Sequence, residues 1–187
     1  PVWTHGAKIS GGVESFMVGG DTMKIPANPT NITLEDFSLV HSLEWRGKRH
    51  GLKNLLELKN CTKCIFRRGV LDGSYRDGQV GWAIVVTPRN AGVIEDVLFE
   101  DLKIRNAAGV INILGRTNVA PPTPQATSKI VLRRIDAVVS EELGRAPEST
   151  KPSSMGLFAL IGGGVTDVSI EDSTFVGDGP SFINVYA

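Results

Sequence analysis

The stretch Val97-Leu98-Phe99-Glu100-Asp101-Leu102-Lys103-Ile104-Arg105 contains the pattern that decides the fold of this chain. Its first and third residues are apolar, and its fourth and fifth residues are charged. Apolar residues at every second position are typical of a β-strand and not of a helix. The stretch therefore predicts a short strand that ends in a charged bend, followed by a second short strand.

The same nine-residue pattern occurs four more times along the chain. The five copies begin at intervals of 32, 33, 33 and 38 residues, and they occupy residues 32–40, 64–72, 97–105, 130–138 and 168–176. Such a repeat is typical of proteins in which one supersecondary unit stacks on the next.

A further strand is predicted before each copy and after the last one. These six predicted strands cover residues 15–19, 55–59, 83–87, 110–114, 157–161 and 182–186. Corner-forming residues separate them from the repeats, at residues 27–31, 60–63, 90–92 and 162–164. Asn, Gly and Pro favour the backbone angles that such corners need.

None of these units could bury its apolar residues alone, whereas stacked units bury them as a continuous core. We therefore predict an all-β fold, a right-handed parallel β-helix of about five coils, as a single domain over residues 1–187. Three longer loops are predicted at residues 40–53, 116–129 and 139–155. Proline residues in the last two loops exclude them from a central strand.

The charged bends alternate in sign along the chain. Acidic pairs occur at 35–36, 100–101 and 171–172, and basic pairs at 67–68 and 133–134. If the coils stack in register, each acidic pair lies beside a basic pair, which stabilises that register. We interpret this alternation as a feature of stability rather than as a functional site.

The overall composition excludes several classes of protein. The 187 residues carry 20 Lys and Arg against 20 Asp and Glu, so the formal net charge is zero. Without a basic excess, no nucleic-acid partner is expected, and no apolar run is long enough for a membrane span. Because the sequence starts at Pro1 and ends in a predicted strand, we expect it to be an excerpt of a longer chain. Its open ends are candidates for self-association.

Four stretches, residues 53–60, 77–90, 109–115 and 160–163, resemble right-handed parallel β-helix proteins of the pectate-lyase-like superfamily. More narrowly, they resemble poorly characterised secreted bacterial β-helix proteins. The resemblance covers roughly residue 9 to the end of the chain. It implies the fold, an extracellular or cell-surface location and a polysaccharide partner, but it does not imply one activity, since this fold hosts many activities.

A β-helix polysaccharide lyase typically holds calcium with several carboxylates and takes a proton with Arg or Lys. Glu57 is the only acidic residue among the predicted outward positions of the face formed by the strands that precede the repeats. Calcium is therefore poorly supported, and we predict no cofactor and no metal. The paired carboxylates of a glycoside hydrolase are also missing from this face.

Two groups of residues are predicted to bind substrate. The first group, Glu57, Lys59, Arg89 and Asn112, lies at outward positions of that face. The second group, Trp45, Arg46, Arg49 and His50, lies in the loop at residues 41–51. There Trp45 could stack on a sugar ring while the cations bind carboxylate or sulfate. The alternative is a solvated loop that Trp45 pins against the core.

Cys61 and Cys64 form a single Cys-x-x-Cys pair without the two further ligands that a zinc site needs. Cys64 occupies an apolar repeat position, so it is predicted to be a buried stacking residue. A disulfide across an extended three-residue step is geometrically difficult, but a tight corner at Thr62 and Lys63 would permit one.

Three functions remain open from the sequence. The first is an extracellular module that binds or processes polysaccharide through a loop-lined groove. The second is a structural module that assembles through its open ends. The third is a polysaccharide lyase or hydrolase, and the sequence does not decide whether the chain is an enzyme.

Overall fold

The computed structural model describes residues 2–19, 28–89, 92–116 and 127–186. Within these ranges the chain is almost entirely β-structure, and every strand pair with a recorded register is parallel. Most of the predicted loop at 116–129 lies outside the described residues, as do parts of the predicted corners at 27–31 and 90–92. No helix among the described residues is long and apolar enough to cross a membrane.

The described strands form two sheets. In chain order they are β1 (Val2–His5), β2 (Lys8–Ser10), β3 (Phe16–Val18), β4 (Ile32–Glu35), β5 (Ser38–Val40), β6 (Leu56–Leu58), β7 (Cys61–Ser74), β8 (Trp82–Val86), β9 (Ile94–Ala107), β10 (Gly109–Leu114), β11 (Thr127–Arg133), β12 (Asp136–Val139), β13 (Leu157–Gly162), β14 (Thr166–Glu171), β15 (Thr174–Val176) and β16 (Ile183–Val185). Two short 3₁₀ turns, Leu43–Trp45 and Glu141–Gly144, lie in the predicted loops.

The ten-stranded sheet is bent into two faces. We define the first face as β1, β4, the first half of β7, the first half of β9, β11 and β14, in this spatial order. The second face contains β2, β5, the remaining halves of β7 and β9, β12 and β15. The six-stranded sheet is the third face, in the order β3, β6, β8, β10, β13 and β16.

The chain visits the three faces in the same sequence each time, and we call one such passage a row. The described residues form six rows, which begin at β1, β4, β7, β9, β11 and β14. The sequence predicted about five, because the first row lacks the charged pair: His5 stands beside Glu35 and Gly6 follows it. Stacked parallel rows of this kind are compatible with a β-helix.

Two left-handed residues, five positions apart, define the corners of the first face in rows 2 to 6. The second residue of every charged pair has a φ between 48° and 53°, and the residue before every repeat has a φ between 54° and 57°. These corner residues are Asp36, Arg68, Asp101, Arg134 and Asp172, and Asn31, Lys63, Asp96, Lys129 and Asp167. Non-glycine residues seldom adopt this conformation, so its recurrence shows that the stacked rows impose it.

The interior follows the predicted column of apolar residues. Leu34, Phe66, Phe99, Leu132 and Ile170 are successive partners in register, and the first four are completely buried. The rings of Phe66 and Phe99 stack with their centroids 5.4 Å apart. The predicted register of the first face is therefore confirmed.

The charged bends also lie in register and form ion pairs between rows. Glu35, Arg67, Glu100, Arg133 and Glu171 are successive neighbours on the outer surface. Arg68 Nε lies 2.8 Å from Asp36 Oδ1, and Arg134 Nε lies 2.7 Å from Asp101 Oδ1. The predicted neighbourhood of acidic and basic pairs is confirmed.

Reversing one basic bend should destabilise the protein, because it places like charges on three neighbouring rows. We expect Arg67→Glu combined with Arg68→Glu to lower Tm by several degrees at low salt, with part of the loss recovered at high salt. The control Lys48→Glu with Lys151→Glu makes the same net charge change at two exposed loop residues. Equal Tm values for the two variants in thermal melts would contradict a stabilising role of the bends.

The first face also predicts how stability depends on pH. A hydrogen bond from Arg67, with a second from the Trp3 indole, lowers the pKa of Glu35 from 4.5 to about 2. A lowered pKa in the folded state gives stability that is present above pH 4.5 and is lost as the pH falls toward 2. In acid denaturation followed by circular dichroism, Glu35→Gln should lose less stability over this interval than the wild type. An identical pH profile would show that Glu35 contributes nothing to acid stability.

Candidate functional site

The first group of predicted residues lies on the third face. At the outward positions of this face, Glu57 on row 2 pairs in register with Val85 on row 3. Val85 in turn pairs with Asn112 on row 4. Lys59, Thr87 and Arg89 follow the ends of the same strands, where the amide of Arg89 donates to the Lys59 carbonyl. The four predicted residues thus come from three segments of the sequence and lie on three neighbouring rows.

These residues line one groove of about 310 Å³. All four predicted residues of the first group contribute to its wall, and the side chains that complete it are Gln79, Val80, Trp82, Val85 and Thr87. Trp82 is almost fully buried and packs with Val85, Met155 and Leu157 in a small apolar cluster outside the main core. The groove therefore combines an apolar wall with a row of polar groups, as in most ligand sites.

Lys59 is held at the floor of the groove. Its ammonium group forms an ion pair with Glu57 and donates a hydrogen bond of 3.0 Å to Thr87 Oγ1. Glu57 and Thr87 are both buried, with exposed fractions of 2% and 8%. A paired and hydrogen-bonded charge can remain ionised at low exposure, so the groove has a fixed pair of opposite charges at its base.

Glu14 also belongs to this site, although the sequence did not predict it. Its carboxylate accepts a hydrogen bond of 2.9 Å from Lys53 and lies within hydrogen-bonding reach of Glu57. Burial opposes ionisation of Glu14, but Lys53 outweighs it and lowers the pKa of Glu14 below its ordinary value. Glu14 and Glu57 are closer together than the paired carboxyl groups of glycoside hydrolases, which lie at least about 5 Å apart, so they do not form such a pair. Glu14 precedes β3 on row 1, and no repeat pattern marks its position.

Two polar groups of the groove have no ion pair or hydrogen bond from the described residues. The Asn112 Oδ1 atom is buried and has no hydrogen-bond partner in the described part of the chain. Arg89 is exposed, and no ion pair of its guanidinium occurs among the described residues. An unpaired buried acceptor costs free energy, so a ligand that turned the Asn112 side chain and donated to it would relieve this cost, while the exposed Arg89 offers a cation.

Two residues of the second predicted group line a separate cleft of about 350 Å³. Trp45 and His50 form one side, with ring centroids 6.2 Å apart, and the chain from Gly11 to Val13 with Leu52 forms the other. Gly11 and Gly12 have φ values of 101° and 84°, a conformation that side chains disfavour. The glycines thus keep the floor of this cleft open beneath the indole ring.

Arg46 and Arg49 do not line that cleft. Arg46 reaches the other long loop, where its two terminal nitrogens lie 3.1 Å from Glu142 Oε1 and 2.7 Å from the Glu142 carbonyl. It therefore joins two loops 96 residues apart in sequence, a contact that no local pattern predicts. Arg49 is exposed and has a φ of 56°.

A buried polar contact supports the base of the Trp45 loop. The His41 Nε2 atom lies 3.0 Å from the hydroxyl of Ser15, and burial lowers the pKa of His41. The hydroxyl of Tyr75 donates to the Ser42 carbonyl at 2.7 Å, and burial raises the pKa of Tyr75 to about 12. Both contacts fix where the loop leaves the second face, so the position of Trp45 is built into the scaffold.

The groove and the Trp45 cleft adjoin each other. Leu52 lines the cleft, while Lys53 pairs with Glu14 and Asn54 donates to Gln79 of the groove at 3.2 Å. The Asp77 carboxylate accepts from the Leu52 amide at 2.8 Å and fixes this connection. An extended ligand could therefore contact both regions.

The structure joins Cys61 and Cys64 in a disulfide. Both residues are completely buried, which confirms the predicted position of Cys64 in the interior. Cys64 is bonded to Cys61, however, and is not a free stacking residue. The bond is permitted because Lys63 is a left-handed corner with a φ of 56°, so the step is not extended. The disulfide leaves no thiolate at these two residues for zinc, which binds cysteine only as the free thiolate.

One cluster of potential metal ligands occurs among the described residues, formed by His5, Glu35 and Asp36. Arg67 and Arg68 already occupy both carboxylates. This cluster is part of the ion pairs of the first face and shows no feature that favours a cation.

Searches against family models, characterised proteins and solved structures find no match to this chain.

The disulfide yields a prediction about stability. Replacing both cysteines by alanine should lower the free energy of unfolding by about 1–2 kcal/mol, because the bond closes only a short loop. Chemical denaturation measures this loss, and the single variants Cys61→Ala and Cys64→Ala serve as controls that also leave one free thiol. Thiol titration of the wild type, unfolded in denaturant without reductant, should find no free thiol, and two titratable thiols would refute the bond.

Proposed function

We propose that this chain is an extracellular right-handed parallel β-helix of the pectate-lyase-like type that binds acidic polysaccharide through the groove of its third face. The convergence of Glu57, Lys59, Arg89 and Asn112 in one groove carries the proposal. Their positions on neighbouring rows suit a chain of sugars, whose units repeat along the ligand.

The handedness follows from a general rule. Successive strands of each sheet are parallel and are joined through strands of the other faces. Parallel strands of one sheet joined by such a crossover are almost always connected with right-handed geometry. The buried disulfide supports an oxidising environment, as found outside the cytoplasm.

The chemistry of the groove favours an acidic glycan. Arg89 can bind a carboxylate or sulfate with two parallel hydrogen bonds. The Asn112 Oδ1 atom and the Thr87 hydroxyl suit sugar hydroxyl groups, while the apolar wall of Val85 and Trp82 suits the faces of sugar rings. The adjoining Trp45 cleft supplies a more exposed aromatic ring for a further sugar unit.

The binding test compares Arg89→Ala with Lys103→Ala, which removes an exposed cation from the second face. Calorimetry against polygalacturonate, alginate and a neutral glucan should show binding of an acidic polymer. We expect Arg89→Ala to weaken that binding about tenfold or more, and Lys103→Ala to leave it unchanged. Failure of both acidic polymers to bind would refute the proposal.

Assembly through the end rows is the remaining alternative. Apolar side chains are exposed on both end rows, with exposed fractions of 65% for Trp3, 71% for Val185 and 45% for Tyr186. An unpaired strand edge next to apolar side chains favours association. This alternative predicts filaments or stacked oligomers that Val185→Lys disrupts without affecting glycan binding.

A further inference from the structure

The first face bears charges of one sign within each row, and the sign alternates from row to row. Rows 2, 4 and 6 are acidic and rows 3 and 5 are basic, counting both corners of the face. The charged residues are Glu35 and Asp36 on row 2; Lys63, Arg67 and Arg68 on row 3; Glu95, Asp96, Glu100 and Asp101 on row 4; Lys129, Arg133 and Arg134 on row 5; and Asp167, Glu171 and Asp172 on row 6. The face is therefore a series of bands of alternating charge.

A stripe of aliphatic side chains crosses these bands. Ile65, Leu98 and Val131 are neighbours in register at the outward position between the two charged columns. All three are partly exposed, and the column continues to Thr33 and Trp3 in one direction. An outward aliphatic stripe between charged columns resembles the centre and rim of a protein–protein interface.

We propose that two copies of this chain associate through their first faces, with the rows in opposite order and row 3 of one copy against row 4 of the other. The occupant of this face is thus a second copy. The proposal concerns a different surface from the glycan groove and from the end rows, and it does not depend on the proposed function.

Charge complementarity selects this arrangement. When the rows run in opposite order, row 2 faces row 5 and row 3 faces row 4, so every acidic band of rows 2 to 5 meets a basic one. The acidic row 6 then faces row 1, which bears His5 in the column of Glu35. If the rows ran in the same order and in register, every band would face its own sign, which is repulsive.

The centre of the proposed dimer interface lies between row 3 and row 4, where no intramolecular ion pair joins the bends of the described residues. Among the described residues, ion pairs join the bends of rows 2 and 3 and those of rows 4, 5 and 6, but none joins row 3 to row 4. At this centre Ile65 of each copy would meet Leu98 of the other. The apolar contact thus lies at the two-fold axis, between the two groups of intramolecular ion pairs.

The size of the face indicates a weak dimer. Six rows about 4.8 Å apart and five residues of about 3.3 Å each give roughly 450 Å² per copy, or about 900 Å² in total. Interfaces of this size lie below those of stable complexes. We therefore expect a dimer with a micromolar dissociation constant.

Sedimentation velocity over a concentration series tests the association. Raising the salt from roughly 0.02 M to 0.5 M should weaken it about tenfold, because the bands attract through screened charges. Leu98→Arg should abolish it, since it sets a cation against the basic row 3 of the partner. The control Val70→Arg places the same charge on the second face and should dimerise as the wild type does. Thermal melts verify that both variants fold.

A cysteine test checks the order of the rows. Thr33 on row 2 would face Val131 on row 5, so Thr33→Cys mixed with Val131→Cys should cross-link under mild oxidation, and neither variant should cross-link alone. Two Thr33 side chains would lie about three rows, or roughly 14 Å, apart. A wild type that stays monomeric at high concentration, a dimer that persists in Leu98→Arg, or efficient cross-linking of Thr33→Cys alone would each overturn the proposal.

Discussion

The parallel backbone pairing of successive rows is the constraint on which the rest of the structure depends. Each row must return to the same register, because a slip by one residue would exchange the inner and outer side chains. The left-handed corners set the length of the first face at the same value in rows 2 to 6. Asp, Asn, Lys and Arg all occupy these corners, so the stacking, and not the intrinsic preference of each residue, holds them there.

The register explains how the charges of the first face are arranged. The 20 basic and 20 acidic residues are not randomly distributed, since on the first face they are sorted into rows of one sign. Within the molecule this arrangement places opposite charges on adjacent strands. Between molecules it creates a banded surface that distinguishes one relative order of the rows from the other. One regularity of the sequence thus has an intramolecular and an intermolecular consequence.

The register also builds the groove. Glu57, Val85 and Asn112 come from three rows and lie close together because each lies at the outer side of a strand in the same face. The loops are fixed by contacts of another kind: Arg46 binds Glu142, and His41 contacts Ser15. A regular scaffold with irregular loops attached to it is a common way to position binding residues.

Much of the scaffold and part of the site follow from the sequence. The repeat predicts the strands, the inner column through Phe66 and Phe99, and the alternation of the bends, because strand periodicity and row spacing are local properties of the chain. The same periodicity places Glu57 and Asn112 on the outer surface. Left-handed corners could have been suspected from the Asn, Asp and Lys residues that precede each repeat.

Other features were decided by the tertiary structure alone. Glu14 reaches Glu57 from another row, Arg46 binds a loop 96 residues away, and the corner at Lys63 brings Cys61 and Cys64 within bonding distance. The periodic pattern places Lys63, Cys64 and Glu57 but specifies none of these contacts, because each contact depends on how side chains from separate rows or the two ends of a corner meet in space. The sequence by itself therefore determines which residues face inward and how the rows stack, because these follow from local periodicity. Only the folded chain determines which polar groups meet, because that depends on distances between residues remote in sequence.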